Sequence, residues 1–321
     1  MGRIRKIAFE EHFTTPDFAA YSKAFVSQID PDVAADLSRR LLDVGELRLK
    51  EMDDAGIEYV ILSQTGPSVQ AETDVAKAIS NSKANNDYLA EKIAKHPTRF
   101  GGFATLPMQD PAQAIKELER AVKELGFKGT LVNGHTLGVY YDAPQYDEFW
   151  ACLQELDVPF YLHPFYSYDQ PYFYEGHPEL TGATWGWGVE TATHALRILF
   201  GGVFDRHPGA KVVVGHMGEG CLPYLRWRFD SRFSTYPCGV TLARKPSEYI
   251  GSNILITTSG VCSHAALTGA IGEMGADAVM FSVDYPYEST QIAAEFIETA
   301  PLDEQTRAKV CYENAKKLFK L

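Results

Sequence analysis

Short apolar runs recur along the chain at residues 6–9 (K-I-A-F), 59–63 (Y-V-I-L-S), 101–106 (G-G-F-A-T-L), 129–132 (G-T-L-V), 159–162 (P-F-Y-L), 211–214 (K-V-V-V), 253–257 (N-I-L-I-T) and 278–283 (A-V-M-F-S-V). Each is too short for a helix and too uniformly apolar for a strand with one wet face, so they predict strands buried on both sides. The stretches between them carry helical spacing. The clearest has Asp110 as N-cap, Pro111 in the first turn, a stripe of Ile115, Leu118, Val122 and Leu125, and Gly126 as the stop. Further helices are predicted at 74–95, 145–156, 190–204, 263–274 and 290–299, and a last one at 303–319 is expected against the outside of the sheet. Strand, helix, strand is the crossover unit of parallel sheets. Eight such units predict an α/β fold, a (β/α)8 TIM barrel, as one domain over residues 1–321. Such a barrel needs about 250 residues, which leaves roughly 70 spare. They fall after strands 1, 5 and 6, at 13–40, 165–187 and 233–249.

Composition narrows the partners. With 42 acidic against 30 basic residues and a net charge of −12, the chain lacks the cationic surplus that binding a nucleic-acid backbone requires. No apolar run is long enough to cross a bilayer, and the N-terminus passes directly into E-E-H without a signal core. Cys152, Cys221, Cys238, Cys262 and Cys311 are odd in number and scattered, which predicts a reduced, cytoplasmic protein without a disulfide framework or a thiolate zinc site.

Chemistry gathers at the strand ends, where such barrels carry their sites. Alternation turns Glu10 and His12 to the same side after strand one. His163 follows strand five, His216 strand six and Asp284 strand eight. Any one of these has an ordinary structural reading, but two carboxylates and several imidazoles converging on one mouth leave charge that a divalent cation would neutralise. Glu10, His12, His163 and Asp284 form a mixed nitrogen and oxygen set suited to one zinc or manganese ion. His216 is read as a catalytic or substrate-binding group because Glu219, three residues on, could hold its ring, with a role as a further ligand the alternative. Arg48 and Arg228 are candidates to bind a substrate carboxylate, and Asn133 and His135 close the fourth strand as candidate substrate contacts. No bridging lysine stands at that strand end, which favours one ion over two. The aromatics Tyr166, Tyr168, Tyr172, Phe173, Tyr174, Trp185 and Trp187 predict a pocket wall or an oligomer interface.

The motifs I-A-F-E-E-H-F, G-F-K-G-T-L-V-N-G, L-D-V-P-F-Y-L-H-P, G-V-F-D-R-H-P, V-G-H-M-G-E-G, I-T-T-S-G, M-F-S-V-D-Y-P-Y and E-N-A-K-K-L-F-K-L span nearly the whole chain. Together they resemble the metal-dependent non-oxidative aromatic acid decarboxylases of the amidohydrolase superfamily, which include γ-resorcylate, 2,3-dihydroxybenzoate and 5-carboxyvanillate decarboxylases. The resemblance implies that Glu10, His163 and Asp284 are metal ligands and that His12 is the extra histidine of the γ-resorcylate type, where other members have Ala. It implies that His216 and Glu219 are the catalytic pair, with Asp284 also the proton donor, and that Arg48 and Arg228 bind substrate. The N-G-H-T-L-G-V-Y-Y stretch leans instead toward the 5-carboxyvanillate type, and Cys221 adds one residue before Arg228. The implied activity is a carboxy-lyase: reversible conversion of an ortho-hydroxybenzoate such as 2,6-dihydroxybenzoate, 2,3-dihydroxybenzoate or orsellinate to the phenol and CO2, in a homodimer or homotetramer. Two rivals stand. A metal-dependent lactonase or amidase of the same superfamily is disfavoured by E-x-H in place of H-x-H, and a non-catalytic ligand-binding barrel predicts bound metal without turnover.

Overall fold

The eight predicted strands form, all parallel, in a computed structural model that describes residues 4–18, 20–21 and 29–321. They are β1 (Lys6–Phe13), β2 (Ile57–Gln64), β3 (Phe100–Gly102), β4 (Thr130–Asn133), β5 (Phe160–His163), β6 (Val212–Val214), β7 (Ile254–Thr257) and β8 (Val279–Met280). Ladders run continuously from β1 to β3 and from β4 to β8. Single bridges, Ala104 with Thr130 and Glu11 with Tyr285, close the two gaps into a barrel. Of the first insertion, residues 19 and 22–28 lie outside the described residues.

Period-two alternation sorts the apolar side chains onto two faces. Val60 and Leu62, Phe160 and Leu162, and Val212 and Val214 point out to the helices, while Ile61, Tyr161 and Val213 join Ile7, Phe9, Phe103, Leu131 and Met280 in the lumen. The helix Pro111–Lys123 follows its predicted design: Asp110 Oδ1 accepts from the Gln113 N–H at 3.1 Å, and Ala114, Leu118 and Ala121 are buried. The end of the chain departs from expectation. Ala315 and Phe319, on the helix Asn314–Phe319, belong to the lumen cluster, with the Phe319 ring 4.8 Å from that of Phe9 and 5.7 Å from that of Phe103. The last helix plugs the barrel instead of lying against its flank, because the lumen needs apolar volume that the short strands cannot supply.

Candidate active site

One irregularity in β1 sets the site. Ala8 pairs with Val60 but Glu11 with Leu62, so three steps of β1 face two of β2. This bulge breaks the alternation. Phe9 faces the lumen, and Glu10, the next residue, also reaches inward to accept hydrogen bonds at Oε2 from Tyr161, Ser259 and, at 3.3 Å, Thr257. His12, two residues on, keeps the same side. The Ser282 hydroxyl receives the N–H groups of both Phe9 and Glu10, at 3.0 and 3.2 Å, and so satisfies the donors that the bulge frees.

Glu10, His12, His163 and Asp284 come together as the strand ends predict, with one ligand atom from each lying within 4.8 Å of the others. His12 Nε2 is 3.2 Å from Asp284 Oδ1, and His163 Nε2 is 3.6 Å from Glu10 Oε1. The Ser63 hydroxyl, 3.1 Å from His12 Nδ1, fixes the His12 ring from behind and leaves Nε2 for the centre. Glu10 Oε1, His12 Nε2 and Asp284 Oδ1 are buried with no hydrogen-bond partner. Buried polar atoms are rarely left so, and these three are turned toward one another. Burial lowers the His12 pKa to about 4 and that of His163 well below its usual value, so both rings are neutral and offer lone pairs. Burial would raise Glu10, but the attraction of His216 and His163 holds its carboxyl well below the usual range. Asp284 moves the other way, raised by burial and by the charge of Glu10. The donor set and its orphaned atoms fit a divalent ion.

His216 and Glu219 sit on a feature that sequence periodicity does not reveal. Residues 216 to 220 all have positive φ, from 49° to 68°, and form one left-handed helical turn. Gly218 and Gly220 take this conformation freely, whereas His216, Met217 and Glu219 each pay about 1–2 kcal/mol for it. The turn directs His216 Nε2 to within 3.3 Å of Glu10 Oε1. Glu219 does not hydrogen-bond the His216 ring as expected. Its Oε1 is buried without a partner, and burial raises its pKa to about 8. His216 is raised well above its usual value: burial opposes this, and the attraction of Glu10 and Glu219 outweighs it. Gly215 and Gly260 make room. A Cβ on Gly215 would lie 2.7 Å from Glu10 Oε2, and one on Gly260 would lie 2.7 Å from His216 Nδ1.

A cavity of about 490 Å3 opens onto this group, with His163, His216, Glu219 and Asp284 among its lining residues. Phe165, Trp185, Trp187 and Tyr287 also line it, with Phe165 and Trp187 stacked at 5.9 Å. The aromatic insertion thus contributes a pocket wall, while Tyr168, Tyr172 and Phe173 are exposed. Four predicted substrate contacts lie elsewhere. Arg48, 2% exposed, spends its guanidinium on the carbonyls of His12 and Asp43 and on the face of Tyr285, and is not on the cavity wall. Arg228 is exposed on the helix Arg226–Thr235, which packs against the core through its neighbour, the partly buried Phe229. Asn133 is buried under Gly66, with Nδ2 3.4 Å from the Gln64 carbonyl. His135 Nδ1 accepts from the Gly138 N–H at 3.0 Å and closes a turn. Sequence reasoning passed over Tyr161, although it stands two residues before His163 and alternation puts both on the lumen face.

The amidohydrolase family profile matches residues 18–321. The chain belongs to this family. Within it, the chain is 46% identical to the γ-resorcylate decarboxylase of Polaromonas sp. (strain JS666) over 98% of both proteins. A 2,6-dihydroxybenzoate decarboxylase solved with 2,6-dihydroxybenzoate superposes with a TM-score of 0.93 at 44% identity, covering 99% of this chain and 100% of that one. The dihydroxybenzoic acid decarboxylase of Polaromonas sp. JS666, solved with manganese and the inhibitor 2-nitroresorcinol, gives a TM-score of 0.93 at 45% identity over 100% of this chain and 98% of its own.

Proposed function

We propose that this amidohydrolase-family chain is a carboxy-lyase that decarboxylates an ortho-hydroxybenzoate without oxidation, with 2,6-dihydroxybenzoate the first candidate substrate. The observation that carries the reading is the set of unsatisfied, inward-turned ligand atoms of Glu10, His12 and Asp284, joined by His163, beside an aromatic-walled cavity. The full-length similarity to decarboxylases of this class supports it.

Glu10, His12, His163 and Asp284 would hold the ion. When bound, it supplies positive charge to the phenolic and carboxylate oxygens of the substrate, which fixes the ring and stabilises negative charge on it. The two oxygens of Asp284 divide the work. Oδ1 faces His12 Nε2, while Oδ2 lies on the side of Gly260, which lines the cavity. From the cavity side Asp284 delivers a proton to the ring carbon that bears the carboxylate. The bond to the carboxylate then breaks, its electron pair returns to the ring, and CO2 leaves. Aromaticity is lost at protonation and regained at cleavage, so protonation is the costly step. His216, which lines the cavity beside Glu10, faces the carboxylate as it departs. Phe165 and Trp187 exclude water from the ring face. Each turnover of the carboxylate consumes one proton.

One catalytic domain over residues 1–321, a homodimer or homotetramer, and a cytoplasmic location complete the proposal. Free cysteines throughout and the exposed aromatics Tyr172, Trp227 and Tyr236 support it. The test is a panel of 2,6-dihydroxybenzoate, 2,3-dihydroxybenzoate, orsellinate, salicylate and 5-carboxyvanillate beside simple lactones, with CO2 and acid release followed separately. CO2 from at least one phenolic acid and no acid from the lactones is expected. The reverse would make the chain a hydrolase.

A further inference from the structure

Arg48 is sealed from solvent with Nη1 buried and lacking a hydrogen-bond partner, and a buried guanidinium is costly unless its remaining donors and its charge are met. Its partners are specific. Nη2 donates to the His12 carbonyl, Nε donates to the Asp43 carbonyl at 3.2 Å, and its planar face lies 4.2 Å from the centre of the Tyr285 ring. Asp43 Oδ1 in turn accepts from the Arg48 backbone N–H at 3.1 Å, anchoring the start of the helix Glu46–Ala55 that carries it.

His12 and Tyr285 stand on the two sides of the seam that closes the barrel. There the His12 N–H donates to the Tyr285 carbonyl at 2.7 Å, and the Asp284 N–H donates to the Glu10 carbonyl at 3.0 Å. Three of the four ligand candidates, Glu10, His12 and Asp284, hang from these two segments. Asp284 has a φ of 76°, a conformation that a residue with a side chain keeps only where its surroundings enforce it. One planar side chain therefore grips both segments from behind, one by a hydrogen bond and the other by stacking. Lysine carries the charge but not the fork or the flat face.

We propose that Arg48 is a positioning residue for the metal group, locking the His12 carbonyl and the Tyr285 ring so that His12 and Asp284 face a common centre. This rests on the reading of the site as a metal centre and gives Arg48 no contact with substrate. Metal-free wild type, Arg48→Lys and Arg48→Met are titrated with Mn2+ by calorimetry, and kcat and KM for 2,6-dihydroxybenzoate are measured at saturating Mn2+. The Mn2+ dissociation constant is expected to rise about 10–100-fold in Arg48→Met, as for other groups that orient ligands, and less in Arg48→Lys. KM at saturating metal is expected to stay within about twofold of wild type. A KM raised about tenfold with unchanged Mn2+ affinity would make Arg48 a substrate ligand and overturn the proposal. Unchanged Mn2+ affinity with only a lowered melting temperature would reduce Arg48 to a packing residue, which also overturns it. Should Arg48→Met fail to fold, Tyr285→Leu removes the ring face that Arg48 and, at 5.1 Å, Arg40 lie against, and leaves the Arg48 hydrogen bonds in place. Weaker Mn2+ binding is expected there, and unchanged binding refutes the clamp. A wild type that binds Mn2+ yet releases no CO2 removes the decarboxylase reading, while the Mn2+ shifts still decide the role of Arg48.

Discussion

Replacing Tyr161 by Phe isolates the support of the metal group from its ligands. The Tyr161 ring is fully buried in the lumen, edge-on to Phe9 at 5.9 Å, and Phe fills the same volume, so no cavity forms. What is lost is one hydroxyl that donates to Glu10 Oε2 and lies 3.0 Å from Thr257 Oγ1. Burial and the neighbouring carboxylate hold that hydroxyl far above its usual pKa, so it is a donor at every working pH. A hydrogen bond to a buried charged group is worth about 1.5–3 kcal/mol. Ser259 and Thr257 still hold Oε2, which places the expected loss toward the lower end. Expressed as metal affinity, that is about a tenfold weaker Mn2+ site, the lower end of what removing an outer hydrogen-bond partner costs. Calorimetric titration of metal-free wild type and Tyr161→Phe measures it, with kcat at saturating Mn2+ as a second readout, expected to fall less than the affinity. An affinity indistinguishable from wild type, in a folded variant, would refute the claim that the hydroxyl cluster orients Glu10 for the ion.

Three further outcomes follow from the geometry. Gly215→Ala drives a Cβ against both Glu10 oxygens, at 2.7 and 2.8 Å, and should weaken Mn2+ binding by at least about tenfold with an unchanged far-ultraviolet dichroism spectrum; unaltered binding would mean that Glu10 can move. Glu190, 4% exposed, has its carboxyl pushed by burial from 4.5 to about 7. The folded protein therefore holds a proton there that the unfolded chain releases near pH 4.5, and the resulting stability is complete below that pH and lost as pH rises through 7. Above 7 the buried charge lowers stability by up to about 3 kcal/mol, so Glu190→Gln should melt higher than wild type at pH 8 with the gap shrinking toward pH 5, and an equal gap at both would contradict this. Phe319→Ala empties the lumen plug and should destabilise the protein by about 3–5 kcal/mol in denaturant titration; a loss under about 1 kcal/mol would put the last helix outside the barrel core.

The strands and the four ligand candidates were legible because both rest on local rules: doubly buried strands are apolar throughout, and side chains at strand ends point to one mouth. The helix Pro111–Lys123 was legible to its caps. What escaped was set by backbone that breaks those rules. The bulge between Ala8 and Glu11 puts Phe9 and Glu10 on one side, where strict alternation cannot. The run of positive φ from His216 leaves Glu219 off the His216 ring, where the three-residue spacing alone pointed to a contact. Arg48 illustrates a different limit. An arginine before a strand looks like an anion binder until its partners are in view, and these include the carbonyl of a residue 36 positions earlier and a ring at position 285. The last helix reads as amphipathic either way, and only the unfilled lumen decides where it goes.

Titrating metal-free protein with Mn2+ while following CO2 release from carboxyl-labelled 2,6-dihydroxybenzoate tests the central claim most directly. Activity should be absent without metal, rise in proportion to added ion and break at one equivalent per chain, and Asp284→Asn should release no CO2 at any ratio. Turnover by the metal-free protein, a break at two equivalents, or an active Asp284→Asn would contradict the account.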